Sequence, residues 1–81
     1  MKLKPQGANQ TTLELADGIV ILFSYETPVA AFVPGRGYLV TDQYYSRTTS
    51  KHITQWLMRE RYAGDAETMP QDFFTTLAGL R

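Results

Sequence analysis

The stretch that decides the fold covers residues 11–41 and reads TTLELADGIVILFSYETPVAAFVPGRGYLVT. Apolar runs of strand length alternate in it with turn-forming residues: Asp17-Gly18, then Glu26-Thr27-Pro28, then Pro34-Gly35-Arg36-Gly37. Such turn-forming residues between apolar runs mark tight connections between antiparallel strands. The stretch therefore predicts a four-stranded antiparallel β-meander, in which each strand pairs with the next one along the chain.

The turns also predict which side chains share a face of the sheet. Two-residue loops are expected at Asp17-Gly18 and at Glu26-Thr27, and the last turn is centred on Gly35-Arg36. The neighbours that follow from these turns are Leu13 with Leu22, Leu15 with Val20, Val20 with Val33, and Val33 with Tyr38. A one-residue error at any turn would move every later side chain to the opposite face.

The rest of the chain predicts two α-helices. The first begins near Thr49, after the N-cap cluster Thr48-Thr49-Ser50, and runs to about Tyr62, with Gly64 as its C-terminal cap. Residues 65–68 are expected to form a loop, and Pro70 opens the second helix. Either both helices pack on one face of the apolar sheet and leave the other face open for association, or the helices and the N-terminal arm split between the two faces.

Composition predicts a flexible N-terminal arm over residues 1–10, followed by a single α+β domain over residues 11–81. Hydrophobic residues make up 43% of the 81-residue chain, which is typical of a globular protein. Eight basic and eight acidic residues cancel, which argues against a surface tuned throughout to nucleic acid or anionic lipid. The lack of cysteine, of a secretory signal and of a membrane-length apolar run predicts a cytoplasmic protein with no membrane partner.

The sequence predicts no catalytic residue, no cofactor and no metal site. His52 is the single histidine and cysteine is absent, so the usual ligands of a zinc site are missing. No pattern pairs a nucleophile with a base or sets two carboxylates in a cleft. We therefore expect a protein that is not an enzyme.

Residues with binding chemistry concentrate between the last predicted strand and the first predicted helix. This binding segment comprises Tyr44, Tyr45, Arg47, Thr48, Thr49, Ser50, Lys51 and His52. Hydroxyls and free N–H groups at a helix start, flanked by cations, can hold a phosphate or a partner's carboxylate. Alternatively, the hydroxyls only cap the helix, one tyrosine lies in the core and one at an edge, and Arg47 pairs with Asp42.

Two smaller features are candidate contacts. Arg36 lies on a tight turn, where it either inserts into a partner or is simply solvated. Phe73 and Phe74 are adjacent on the second predicted helix. One of them either points outward and starts a homodimer contact, or both belong to a wide buried stripe.

Three pieces of the sequence resemble a known family: residues 24–31 (SYETPVAA), Tyr45-Ser46, and residues 49–53 (TSKHI) with Trp56-Leu57. They cover somewhat under half of the chain and leave out the last helix. The chain resembles, in these pieces, a family of small uncharacterised proteins or domains from bacteriophages and mobile elements. The resemblance implies a viral or mobile-element setting and no activity, and its pieces overlap the binding segment.

Together these features predict a small cytoplasmic binding protein of a bacterial host, encoded by a phage or mobile element. It would dock on a protein partner, with modulation of a host factor as one use. One alternative is a nucleic-acid-binding module that uses residues 44–61, where the cations Arg47, Lys51, Arg59 and Arg61 outnumber the one acid, Glu60. The other alternative is a sponge for an anionic nucleotide at the helix start.

Overall fold

The computed structural model describes residues 2–7, 9–60 and 66–79 of the chain. Its elements are β1 (Lys2–Gly7), β2 (Gln10–Glu14), β3 (Val20–Ser24), β4 (Thr27–Val33), β5 (Gly37–Thr41), α1 (Arg47–Arg59), β6 (Glu67–Met69) and α2 (Gln71–Gly79). Within these residues the strands form one six-stranded sheet in chain order. Neighbours from β1 to β5 are antiparallel, whereas β5 and β6 are parallel. The α+β class is confirmed, but the four-stranded meander is extended by a strand at each edge into a mixed sheet.

The segment predicted as a flexible arm, residues 1–10, contains the paired edge strand β1. Leu3 lies opposite Leu13, and the Lys4 ammonium contacts the Glu14 carboxylate at 2.8 Å across the two strands. The sequence gives little sign of this strand because lysine, glycine and proline are depleted in strands. At a sheet edge the same residues are typical, since they discourage pairing with other chains.

The hairpin of β2 and β3 closes through three loop residues rather than through the predicted two. Leu15 N–H donates to the Ile19 carbonyl at 2.8 Å, and Gly18 takes a left-handed φ of 89°. This places Glu14 opposite Val20, so the predicted pairing of Leu15 with Val20 is wrong. A three-residue loop that ends in a left-handed glycine fits the twist of a hairpin as well as a two-residue loop does.

The next two connections also differ from the prediction. Tyr25 and Glu26, rather than Glu26 and Thr27, connect β3 to β4, and a β-bulge between Leu22 and Phe23 then shifts the register by one residue, so Val20 lies opposite Phe32. Three residues, rather than the predicted two, form the loop between the paired Val33 and Gly37. The observed partners replace the predicted neighbours in every hairpin: Leu13 with Ile21, Leu22 with Ala30, Phe32 with Tyr38, and Val33 with Gly37. Leu15 and Val20 consequently pack on opposite faces of the sheet.

The two helices cover opposite faces of the sheet. Trp56 of α1 packs against Leu22 on one face, in a cluster that includes Val29 and Ala30. On the other face, Phe74 of α2 packs in a cluster with Ile21, Ala31 and Leu39. The arrangement with one uncovered sheet face is therefore wrong, and the split of the helices between the faces is confirmed, although the N-terminal segment pairs at the sheet edge instead of covering a face. No helix in the described residues has the length and apolar character needed to cross a bilayer.

Helix α1 begins two residues before the predicted start near Thr49. Ser46 is its N-cap, and the Ser46 hydroxyl accepts a hydrogen bond from Thr49 N–H at 3.1 Å. The residues predicted as caps, Thr48-Thr49-Ser50, lie inside the first turn instead. A run of hydroxyl residues offers several possible caps, and contacts with β3 select among them. The helix ends at Arg59, and the predicted Tyr62 and Gly64 lie outside the described residues.

Strand β6 occupies part of the segment predicted as a loop. Glu67 lies beside Leu39 of β5, and its carboxylate accepts a hydrogen bond from the Arg36 guanidinium at 2.8 Å. The same guanidinium lies 5.6 Å from the centre of the Phe73 ring. Arg36 therefore joins the β4–β5 turn to β6 and α2 rather than standing alone in solvent. Phe74 is buried in the core of that face and Phe73 packs half-buried against it, so neither ring points outward and the wide stripe is favoured.

Candidate functional site

One end of the sheet gathers most of the predicted binding residues. Because β1 to β5 alternate in direction, the β1–β2 turn, the β3–β4 turn and the segment after β5 share this end. Tyr25 N–H donates to the Asn9 carbonyl at 2.7 Å and joins the first two of these connections. The start of α1 lies at the same end because Thr49 contacts Ser24, the last residue of β3.

A buried set of hydrogen-bonding side chains fastens α1 to β3. The Ser24 hydroxyl lies 2.7 Å from His52 Nδ1 and 3.1 Å from the Thr49 hydroxyl. The Ser46 hydroxyl lies 3.4 Å from the same Thr49 oxygen. We call Ser24, Ser46, Thr49 and His52 the polar cluster. A buried network in which every member has a partner favours one arrangement of its elements, so this cluster fixes where α1 begins.

The electrostatics of the polar cluster favour a neutral histidine. Burial lowers the pKa of His52 below its ordinary value of 6.5, and the charges of Arg59 and Lys51 lower it further. A neutral imidazole can share one hydrogen with the Ser24 hydroxyl in either direction. Because Ser24 is only 2% exposed, the Ser24–His52 pair is shielded from solvent. This buried hydrogen bond joins β3 to α1 and so helps to position the helix on the sheet.

The remaining members of the binding segment face solvent. Tyr44 is 72% exposed and Tyr45 is 47% exposed, so the alternative that places one tyrosine in the core is wrong. Arg47, Thr48, Ser50 and Lys51 are exposed as well. Both Arg47 and Asp42 are described, and they form no ion pair with each other. The segment thus divides into two buried anchors and six exposed residues.

Tyr25, which sequence reasoning missed, lies close to this segment. The residue is 54% exposed, and the centre of its ring lies 5.9 Å from that of the His52 ring. Tyr25 follows Ser24 and Tyr45 precedes Ser46, and both serine hydroxyls contact Thr49. These links hold the β3–β4 turn beside the loop that carries Tyr44 and Tyr45. We call Tyr25, Tyr44, Tyr45, Arg47 and Lys51 the tyrosine surface.

The two cations of the tyrosine surface have acidic neighbours at the same end of the sheet. Exposed Glu26 and Asp42 lie at the same end of the sheet and offset Arg47 and Lys51. Arg59 also reaches this end of the sheet, because its guanidinium donates at 3.4 Å to the side-chain oxygen of Gln10, which lies opposite Ser24. The fourth predicted cation, Arg61, lies outside the described residues. The structure therefore places Arg47, Lys51 and Arg59 of the basic set at one end of the sheet.

Two further features of the described residues bear on ligand binding. No group of three His, Cys, Asp or Glu side chains among these residues comes together in a way that could hold a metal ion. A shallow cavity of about 330 Å³ lies beside α2 and is lined by Asp72, Phe73, Thr76 and Leu77. These residues belong to the helix on the other sheet face from α1, so the cavity is separate from the tyrosine surface.

The fold and this surface define a small α+β protein whose sheet lies between two helices. The chain belongs to a family of unknown function (DUF8033), which matches residues 1–76. The match begins before β1 and continues into α2, so it includes elements that the sequence resemblance left out. No curated protein and no solved structure matches the chain.

Proposed function

We propose that this chain is a small, non-enzymatic binding protein that docks on a protein partner through the tyrosine surface. The observation that carries the proposal is the exposure of three tyrosines, Tyr25, Tyr44 and Tyr45, beside Arg47 at one end of the sheet. Tyrosine and arginine are enriched in protein interfaces because each buries a large area and still offers hydrogen bonds. A loop rich in tyrosine, serine and arginine on a sheet scaffold has the composition of an antibody paratope.

The polar cluster supports the proposal by fixing the base of this surface. Ser24 and Ser46, which flank two of the tyrosines, are both hydrogen-bonded to Thr49. Loops that are ordered before binding lose less conformational freedom when the partner arrives. The sheet end therefore presents its tyrosines on a largely preformed support.

The charges favour a protein partner over a nucleic acid. Binding to a phosphate backbone is driven by positive charge that the protein itself leaves uncompensated. Here Glu26 and Asp42 offset Arg47 and Lys51, and Arg59, whose contact with Gln10 is to a neutral side chain, adds a single positive charge. The nucleic-acid module and the nucleotide sponge are the two alternatives, and the measurements below distinguish them from protein binding.

The setting of the partner rests on the sequence resemblance. Residues 24–31 and 49–53 resemble a family of small proteins or domains from bacteriophages and mobile elements. We infer a cytoplasmic location in a bacterial host and a host protein as the partner. Such a small binding protein would modulate the host factor by forming a stoichiometric complex with it.

The proposal is tested with immobilised protein and a lysate of the bacterium that carries the gene. The wild type should retain one stoichiometric partner, and the double variant Tyr44→Ala/Tyr45→Ala should lose it. The matched control is Leu3→Ala/Met58→Ala, which removes two exposed apolar side chains outside the tyrosine surface and should retain the partner. Equal recovery by both double variants contradicts the proposal.

Two further measurements separate the alternatives. Oligonucleotide binding that weakens steeply with salt, in the absence of a protein partner, would establish the nucleic-acid module instead. A thermal shift with nucleotides would identify the nucleotide sponge. Sedimentation of the purified protein shows whether the partner is a second copy, because a homodimer through this surface should dissociate in Tyr44→Ala/Tyr45→Ala.

A further inference from the structure

Tyr25 adopts a backbone conformation that disfavours a tyrosine. It occupies the first loop position between Ser24 and Thr27, which face each other across β3 and β4, and its φ is 57°. Hairpin turns of this length need a positive φ at that position, where glycine and asparagine are preferred. A bulky side chain there is strained, because Cβ crowds the backbone.

The neighbouring turn shows the more usual choice. Asn9 has a φ of 62°, and asparagine tolerates this region because its short polar side chain can bond to the local backbone. The two turns are directly linked, since Tyr25 N–H donates to the Asn9 carbonyl at 2.7 Å. One of the two linked turns thus carries a residue suited to its conformation, and the other carries a tyrosine that is not.

Packing within the chain uses only part of the Tyr25 ring. The ring lies near His52, which the Ser24 hydroxyl holds in place, but 54% of the residue remains exposed. The turn thus carries, at the cost of a strained backbone, an aromatic side chain with much of its area in water. Strained residues of this kind occur frequently at ligand-contacting sites.

We propose that Tyr25 is the anchor residue of the tyrosine surface. Its ring enters a cleft of the protein partner that has apolar walls and a hydrogen-bonding group for the phenol hydroxyl. Anchors of this kind carry a large share of binding energy, and they do so best when the free protein already holds them in the bound conformation. This inference rests on the proposed function, because it assumes that the occupant is a protein.

The test compares Tyr25→Asn with Tyr25→Phe. Asparagine suits the left-handed turn and lacks the ring, whereas phenylalanine keeps both the ring and the strain. Tyr25→Asn should melt at the wild-type temperature or higher, and its affinity for the captured partner should fall at least about tenfold, the loss expected for an interface hot spot. Tyr25→Phe should bind more tightly than Tyr25→Asn but more weakly than the wild type, because it keeps the ring and loses the hydrogen bond of the phenol hydroxyl.

The possible failures are distinguishable. If Tyr25→Asn binds the partner as tightly as the wild type while Tyr44→Ala/Tyr45→Ala does not, the anchor is wrong and the docking surface stands. A melting temperature of Tyr25→Asn well below that of the wild type would show that the ring serves the fold, and would overturn the inference. If the wild type captures no protein, or binds only nucleic acid through Tyr25, the proposed function fails together with the anchor.

Discussion

The Ser24 hydroxyl and His52 Nδ1 lie 2.7 Å apart, in a buried contact between the end of β3 and the second turn of α1. The two residues are 28 positions apart in the chain, so the contact joins the meander to the helix that follows it. The same serine oxygen also contacts Thr49. Both the position of α1 and the support of the tyrosine surface depend on this one hydroxyl.

Replacement of Ser24 by alanine should destabilise the fold. The change leaves His52 Nδ1 and the Thr49 hydroxyl without their buried partner, which costs about 1–3 kcal/mol. Urea unfolding measures the loss. Ser50→Ala is the matched control, since Ser50 is exposed on the same helix and its replacement should change the stability by no more than about 0.5 kcal/mol. Equal stability of the two variants would contradict a structural role for the Ser24–His52 contact.

The stability of the protein should fall as the solution becomes mildly acidic. Burial, together with Arg59 and Lys51, holds the pKa of His52 below 6.5, so the folded protein binds this proton less tightly than the unfolded chain does. This contribution is fully present above pH 6.5 and is lost as the pH falls towards the lower pKa of the folded state.

Unfolding by urea between about pH 7 and pH 5, above the range in which ordinary carboxyl groups titrate, isolates this effect. His52→Gln removes the titrating group, so its stability should vary less with pH over the same interval. If the wild type and His52→Gln have the same pH dependence, another group is responsible.

The register of the hairpin of β2 and β3 can be tested by cross-linking, because the chain has no cysteine of its own. Glu14 and Val20 lie directly opposite each other, whereas Leu15 and Val20 pack on opposite faces. Cysteines at directly opposed positions have Cα atoms about 4.5–5.5 Å apart, within the range that a disulfide spans. Glu14→Cys/Val20→Cys should therefore oxidise to an intramolecular disulfide, and Leu15→Cys/Val20→Cys should keep free thiols. Thiol titration after oxidation distinguishes this register from the one with a two-residue loop.

Removal of the Arg36 side chain should loosen β6 and α2. Arg36→Ala loses a partly exposed ion pair with Glu67 and the contact with the Phe73 ring, which together contribute roughly 1 kcal/mol. Hydrogen exchange should show faster opening of β6 than of β3. The control is Arg47→Ala, which removes an exposed cation from the first turn of α1 and should leave stability unchanged or slightly raised. The same loss in both variants would mean that Arg36 acts only through its charge.

The strands could be predicted from the sequence but their register could not. Residues 19–23 are all apolar, and the structure buries apolar side chains from this run on both sheet faces. A slip of one residue then exchanges one apolar face for another, so the hydrophobic pattern does not oppose it. The loop at Asp17-Gly18 decides the register instead, and loops of two and three residues both accept a glycine there.

The edge strands escaped prediction for a different reason. β1 carries lysine, proline and glycine, and β6 is only three residues long, so neither has a strand-like pattern. Their pairing depends on an edge that the meander presents to them. Intrinsic propensity indicates little about such a strand, because its partner supplies most of the stabilisation.

The candidate site was predicted in part. Exposure of Arg47 and Lys51 follows from their charge, and the segment after β5 was correctly singled out as the start of a helix. Ser24 and Tyr25 were missed because their roles arise from a contact with α1 and from a single backbone dihedral angle. A polar residue at the end of an apolar strand was the one available sign of Ser24.

The parallel pairing of β5 with β6 has a consequence for synthesis on the ribosome. Strands β1 to β5 are joined by short turns and can pair as they emerge from the ribosome. Strand β6 can pair with β5 only after α1, which lies between them in the chain, has been synthesised. Until β6 and α2 are made, the cluster of Ile21, Ala31 and Leu39 has no helix over it. A nascent chain that has emerged only as far as α1 therefore exposes an apolar surface that is buried in the complete protein.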